Sequence, residues 1–186
     1  LFEVGMRSPP KRDLHEAALP EMSALASQMM QSIQLAVVSS DQIVVIARTE
    51  SPDDVGFSVR LGHRRSILNS ASGLVLFAFA ATPQKNRILE NLRAAGSPQN
   101  DLQSLQESAA RIREAGFVCM PSRMVDGVTD IGAPIFDSAS ESAVASLTVP
   151  FVVTRRTRIS VEDAPALIAA SANRISATLG HVPQAN

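Results

Sequence analysis

Residues 116–150 read GFVCMPSRMVDGVTDIGAPIFDSASESAVASLTVP and hold the two most strand-like runs of the chain. Ile131–Phe136 and Val144–Val149 are apolar and β-branched, and Asp137–Ser142 between them is turn chemistry. The spacing predicts an antiparallel pair at the centre of a sheet. Thr129, Asp130, Ser146 and Thr148 interrupt it at alternate positions or strand ends, where a half-buried sheet would otherwise carry hydrocarbon. Polar groups so placed suit the floor of a small-molecule pocket.

Outward from this pair, the chain punctuates itself. Upstream, Leu102, Leu105, Ala109 and Ile112 share one face of an amphipathic helix over Asp101–Ala115, with Gly116 as its left-handed cap. Gly96-Ser97-Pro98 separates it from a surface helix over Pro83–Arg93, for which Thr82 is the expected N-cap. Before that, Ser66–Ala80 is a run of small polar residues followed by an almost wholly apolar helix, and a helix apolar all round is a buried one. Ser70, Ala71, Ser72 and Gly73 leave its first turn free of bulk, so either Asn69 or Ser70 simply caps it or its free N–H groups receive an anionic or polar ligand.

Further back, Phe57–Leu61 alternates as a short strand ending at Gly62, and Gln34–Val38 with Gln42–Arg48 forms a hairpin about Ser39–Asp41. Its imperfect alternation fits a sheet covered on one side. Leu14, Ala17, Leu19, Met22, Leu25, Ala26 and Met29 recur at helical steps after Asp13, a candidate N-cap, with Pro20 marking a kink or a first turn and the methionines filling core. Residues 1–12 read as a connector. Downstream, Ser160 and Asp163 form a capping box for a last helix closed by Gly180, and residues 181–186 read as a frayed tail. The order of elements is not strict β-α alternation, so an α+β layout with an antiparallel sheet is expected.

Composition narrows the functional classes. A chain of 186 residues suits one domain, and its net charge of −1 gives no reason to expect nucleic-acid binding, which rests on clustered positive charge. Aromatics amount to 4%, all Phe, which argues against stacking platforms for bases or sugars. The single cysteine, Cys119, reads as a buried, inert thiol and fits a reducing, cytoplasmic setting. No leader or membrane-length apolar run stands out, and the start at Leu1 points to a longer protein.

Catalytic chemistry is thinly represented. His15, His63 and His181 have no partners at ligand spacing, so surface positions and no metal are expected; no motif calls for a cofactor. Asp126 and Asp130 on an extended segment would stand roughly 13 Å apart, too far for a dyad. An enzyme using Asp130 and Ser72, a hydrolase or isomerase, is therefore the minority reading. The basic runs His63–Arg65 and Arg155–Arg158 are either solvated or placed to receive an anionic effector or a partner subunit.

Several motifs in order resemble one family: Leu1–Gly5, Val59-Arg60-Leu61-Gly62 leading to Ser70–Gly73, Ile112–Phe117, Ala133–Asp137 and Ala145–Pro150. Together they are similar to the effector-binding domain of IclR-type bacterial transcriptional regulators. That resemblance implies a GAF-like α+β domain over residues 13–180, with a curved antiparallel sheet and helices packed on its faces. It implies a small effector, an organic, sugar or aromatic acid, and assembly as a homodimer or tetramer. DNA would be bound only through a winged helix-turn-helix domain preceding the linker. By position, the family's effector pocket falls on Ser70, Ala71, Ser72, Met120, Asp130, Thr148 and Pro150, with Phe57 and Val128 on its apolar side. Leu74-Val75, Ser66 and Leu68-Asn69 depart from the family's usual residues, so the effector cannot be copied from a relative. A ligand-free oligomerisation module is the alternative.

Overall fold

The computed structural model describes residues 10–54 and 56–182, with side chains from Leu14 onward. Six strands make one antiparallel sheet: β1 (Ile33–Ser39), β2 (Gln42–Thr49), β3 (Arg64–Ser66), β4 (Val118–Pro121), β5 (Val128–Ile135) and β6 (Ala145–Val152). Their spatial order is β3-β2-β1-β6-β5-β4. The pair predicted from residues 131–149 is present as β5 and β6, in register at Ile131↔Val149. The middle of the sheet, however, is the seam between β1 and β6, where Gln34 faces Thr148 and Ala36 faces Ser146. Three strands from each half of the chain meet there.

Helices cover both faces. α1 (Pro10–Met29) and α5 (Ala164–Thr178) pack on one, against Leu35, Ile131, Ala133, Leu147, Val149 and Phe151. α2 (Ala71–Ala78) and α4 (Gln99–Ala115), with α3 (Thr82–Ala94) behind, cover the other. Coverage on both sides, and not on one, accounts for the imperfect alternation of β2. A bulge there shifts the register between Leu35 and Ala36, so that Ala47 opposes Leu35 while Val45 opposes Ala36. The extra residue turns Val45 and Ile43 to the α2 core and Ala47 to the α1–α5 core.

Several expectations are corrected. Phe57–Leu61 is not a strand: the free edge of β2 is taken by Arg64–Ser66, and Phe57–Leu61 lies beside it, held by such bonds as Arg48 Nη1 to the Val59 carbonyl at 3.3 Å. Local alternation could not say which of two adjacent segments would win the ladder. α1 begins at Pro10, inside the stretch read as connector, so Asp13 lies within the helix and not at its cap; Leu1–Pro9 fall outside the described residues. Pro20 is accommodated inside α1, whose outer face leaves Leu19 exposed. Ala81, not Thr82, is the N-cap of α3. Its N–H donates to the Ser142 hydroxyl at 2.9 Å, so the β5–β6 loop docks the α2–α3 junction. His181 is not frayed: its N–H donates to the Ser176 carbonyl and its ring stacks on Phe136 at 4.9 Å, while residues 183–186 fall outside the described residues.

Two glycines shape the helix ends. Gly116 ends α4 at φ 79°, the left-handed turn expected of it. Gly73, in the first turn of α2, lies so close to the 3₁₀ turn Ile67–Asn69 that a Cβ there would stand 2.4 Å from the Ile67 carbonyl oxygen. That atom is backbone and cannot swing aside. Gly73→Ala should therefore lower stability by about 1–3 kcal/mol in chemical denaturation. Helix propensity alone would move it the other way by about 1 kcal/mol. An unchanged or raised midpoint would refute the close approach.

Candidate functional site

The α2 face of the sheet carries its polar residues in one patch. Period-two alternation puts Asp130, Gly132 and Pro134 of β5 on this face, and cross-strand register adds Pro150, Thr148 and Ser146 of β6 and then Gln34 of β1. α2 meets the patch with its first turn. Ser70 caps that turn, its hydroxyl accepting from Gly73 N–H at 3.1 Å, and all eight residues of the helix are buried. The Ser72 and Thr148 hydroxyls share a 2.7 Å hydrogen bond, and Thr148 shares a second with Ser146 at 3.0 Å. Gly132 leaves the space for this chain, since a Cβ there would stand 3.3 Å from Thr148 Oγ1.

Between helix and sheet a cavity of about 30 Å³ remains, room for roughly two waters. Seven of the nine positions anticipated from the sequence line it: Phe57, Ser70, Ala71, Ser72, Asp130, Thr148 and Pro150. Met120 and Val128 do not. Met120 opposes Asp130 but packs against the α2–α4 core, and Val128 is buried two residues before Asp130 on β5, opposite Val152. Gln34, Ile43, Val45, Val59, Arg65 and Ser122 complete the wall and were not among the anticipated residues. Most reach it through strand register, which no local pattern reveals; Arg65 carried a signal in the basic run after Gly62.

Two ionisable groups face this space. Burial pushes the Asp130 carboxyl above its ordinary pKa, against smaller downward pulls from the Ser122 hydroxyl and the Arg65 charge. Arg65 opposes Ile43 on β3, and its Nε is fully shielded without a hydrogen-bond partner, alone among buried side-chain nitrogens and oxygens of the described residues. Its neighbour Arg64 turns outward and is satisfied by Ser39 Oγ at 2.7 Å and Gln42 Oε1 at 3.3 Å. The site can thus bind through one guanidinium, one carboxyl that holds its proton unusually well, and a line of hydroxyls.

Other candidates behave differently. Cys119 is exposed, not buried, because period-two alternation on edge strand β4 turns it away from buried Val118 and half-buried Met120. Partial burial and the Glu162 carboxylate push its thiol pKa up, which disfavours the thiolate. Exposed Asp126 and buried Asp130 occupy separate environments. In the basic loop after β6, Arg156 pairs with Asp53 at 3.3 Å, fastening the loop that precedes Phe57. Two larger depressions, about 910 Å³ beside the β5–β6 loop and about 310 Å³ beside Leu14, lack buried polar groups converging as those at Ser72 do.

Two predictions follow from the polar patch. Thr148→Val keeps the shape but strips the hydroxyl that Ser72 and Ser146 share, and should cost about 1–3 kcal/mol in denaturant titration; no loss would mean the hydroxyl chain is not a structural unit. Asp130 holds its proton to higher pH in the folded state than in the unfolded one. The native state therefore binds more protons across a window that opens near 3.8 and closes at the raised value, and stability falls as pH rises through it. Asp130→Asn should abolish that decline, its advantage over the wild type growing across the window and then levelling. Parallel stability curves would contradict the assignment.

Comparison with known proteins gives the family and the fold. The family described as "Bacterial transcriptional regulator IclR C-terminal" matches residues 7–177. The HTH-type transcriptional regulator KdgR of Escherichia coli is 26% identical over 184 residues, 97% of this chain and 70% of the regulator; KdgR of Dickeya chrysanthemi is 24% identical, with 60% of its length covered. The chain thus spans about 60–70% of these relatives. The crystal structure of an IclR homologue from Microbacterium hydrocarbonoxydans, complexed with 4-hydroxybenzoate, superposes with a TM-score of 0.74 at 24% identity, covering 96% of this chain and 73% of that one. The match to the family over nearly the whole domain, with relatives that are transcriptional regulators and not enzymes, places this chain in the IclR family of bacterial transcriptional regulators, of which it carries the C-terminal domain.

Proposed function

We propose that the domain senses a small effector, an organic, sugar or aromatic acid, in the cavity between α2 and the sheet. Ligand occupancy there sets the operator affinity of a helix-turn-helix domain preceding it, in a cytoplasmic homodimer or tetramer. The observation that carries this reading is convergence: Ser70, Ala71 and Ser72 from α2, Asp130 from β5, and Thr148 and Pro150 from β6 line one space where a sheet would normally pack hydrocarbon. The 4-hydroxybenzoate complex of a structural neighbour supports it by analogy of fold.

Ligands larger than about two waters enter by displacing the Phe57–Leu61 wall, the part of the cavity's rim without ladder hydrogen bonds. Closure around the ligand gives the differential contacts from which a coupling free energy arises, and the coupling is reciprocal, so operator DNA in turn changes acid affinity. No described helix is long and apolar enough to cross a membrane.

The small volume, about 30 Å³, favours one competing reading, a ligand-free oligomerisation module in which side chains fill the space. Thermal melting separates the two. An acid at a hundredfold excess over its Kd stabilises by about 2.7 kcal/mol, which for a domain of this size raises Tm by roughly 5–10 °C. Ser72→Trp, which fills the cavity, should remove that rise. If no acid in a panel of hydroxy, sugar and aromatic carboxylates moves Tm, the sensing function is wrong and the packing module stands.

A further inference from the structure

Arg65 is unusual in where it stands and in what it lacks. Strand β3 is three residues long, and alternation along it sends Arg64 outward to Ser39 and Gln42 and Arg65 inward, opposite Ile43 on the cavity wall. Its Nε is shielded from solvent and bonds to nothing, and no carboxylate among the described residues lies within ion-pair distance of it. A guanidinium presents five donors in a planar fork and cannot escape by losing its proton. A buried donor left unmet is a liability for folding. A side chain kept at such a cost, and aimed into a cavity, is set up for an acceptor that arrives from outside.

The remainder of the wall says what kind of acceptor. The other ionisable group lining the cavity is Asp130, on the far strands of the sheet; the rest are hydroxyls, the Gln34 amide and hydrocarbon from Ile43, Val45, Phe57 and Val59. Asp130 feels the Arg65 charge but stands beyond ion-pair distance of the guanidinium, so it meets none of the fork's donors, and a single ligand carboxylate is what the unmet donors can take. The hydroxyls of Ser72 and Thr148 and the Asp130 carboxyl remain for neutral polar groups at the ligand's other end.

Resting on the effector reading above, we propose that Arg65 fixes the charge class of the effector: the cavity takes a monocarboxylate, its carboxylate seated on the Arg65 guanidinium, and rejects the corresponding neutral amide. Arg65 is then a specificity-determining residue and contributes nothing to folding. The fork matches a carboxylate through two parallel N–H···O bonds, which a lysine ammonium cannot reproduce.

The test is calorimetric titration of this chain with matched pairs: lactate and lactamide, gluconate and gluconamide, 4-hydroxybenzoate and 4-hydroxybenzamide. At least one acid should bind and its amide should not. Arg65→Leu should weaken that acid about 10- to 100-fold, the range for losing charge-assisted hydrogen bonds. Arg65→Lys should restore part of the affinity. In the absence of ligand, Arg65→Leu and Arg65→Gln should melt at or above the wild-type temperature, because the substitution removes an unmet donor; a structural arginine would do the opposite. Acid and amide binding alike, unchanged acid affinity in Arg65→Leu, or a Tm several degrees lower in both ligand-free variants would each overturn the assignment while leaving the cavity's sensing role intact. Failure of every acid and amide to bind would instead remove that role, and the proposal with it.

Discussion

The hydrogen bond between Ser72 and Thr148, 2.7 Å long and wholly buried, is the constraint on which the site depends. It joins the first turn of the buried helix to the strand that zips the two halves of the chain together. Neither partner could be there without its surroundings: Gly73 lets the helix start close against the Ile67 carbonyl, and Gly132 leaves room beside Thr148 for its hydroxyl and that of Ser146. Where most sheet faces would interlock hydrocarbon, this one holds polar groups that satisfy one another, and a small space survives between them. A polar group buried with its partner costs little, whereas one buried alone is penalised. The same patch therefore pairs its hydroxyls and leaves one donor, the Arg65 Nε–H, unmet.

The division of labour across the sheet follows from this. The face under α1 and α5 is a continuous apolar layer running from Leu35 through Leu147 and Val149 to Ile131, and it supplies burial for the whole domain. That frees the α2 face to carry Gln34, Thr148 and Asp130. The bulge in β2 serves both sides, sending Ala47 to the apolar layer and Val45 to the cavity within three residues. Asp130 and Arg65 approach the space from opposite sides of the β1–β6 seam, so the charges that face it belong to different halves of the chain.

Much of this was legible in the residues. The β5–β6 pair, the helical face of α4, the left-handed cap at Gly116 and the apolar run after Ser70 all show in local pattern, because turn chemistry and periodicity are local. Small or polar residues in apolar runs marked Ser72, Asp130 and Thr148 as neighbours of a pocket, and the structure gathers them. What could not be read depends on partners distant in sequence. Phe57–Leu61 alternates as a strand should, but the β2 edge pairs with Arg64–Ser66 instead. Cys119 lies in an apolar run, yet on an edge strand its side of the pleat has no helix over it. Gln34 reaches the cavity only because β1 pairs with β6, a register set by the whole sheet. Arg65 was visible as charge and invisible as direction, since one residue of register separates it from outward-facing Arg64.

Whether the polar patch receives a ligand is most directly asked at the atom that lacks a partner. Heteronuclear NMR resolves arginine Nε–H signals from the backbone, and the Arg65 signal can be followed with the Ala71 and Ser72 amides while a monocarboxylate is titrated. If the cavity is the effector site, all three shift along one saturation curve, and the Nε–H exchanges more slowly with water once bound. Shifts confined to the surface loop at Arg155–Arg158, with Arg65, Ala71 and Ser72 unmoved at saturating acid, would contradict it.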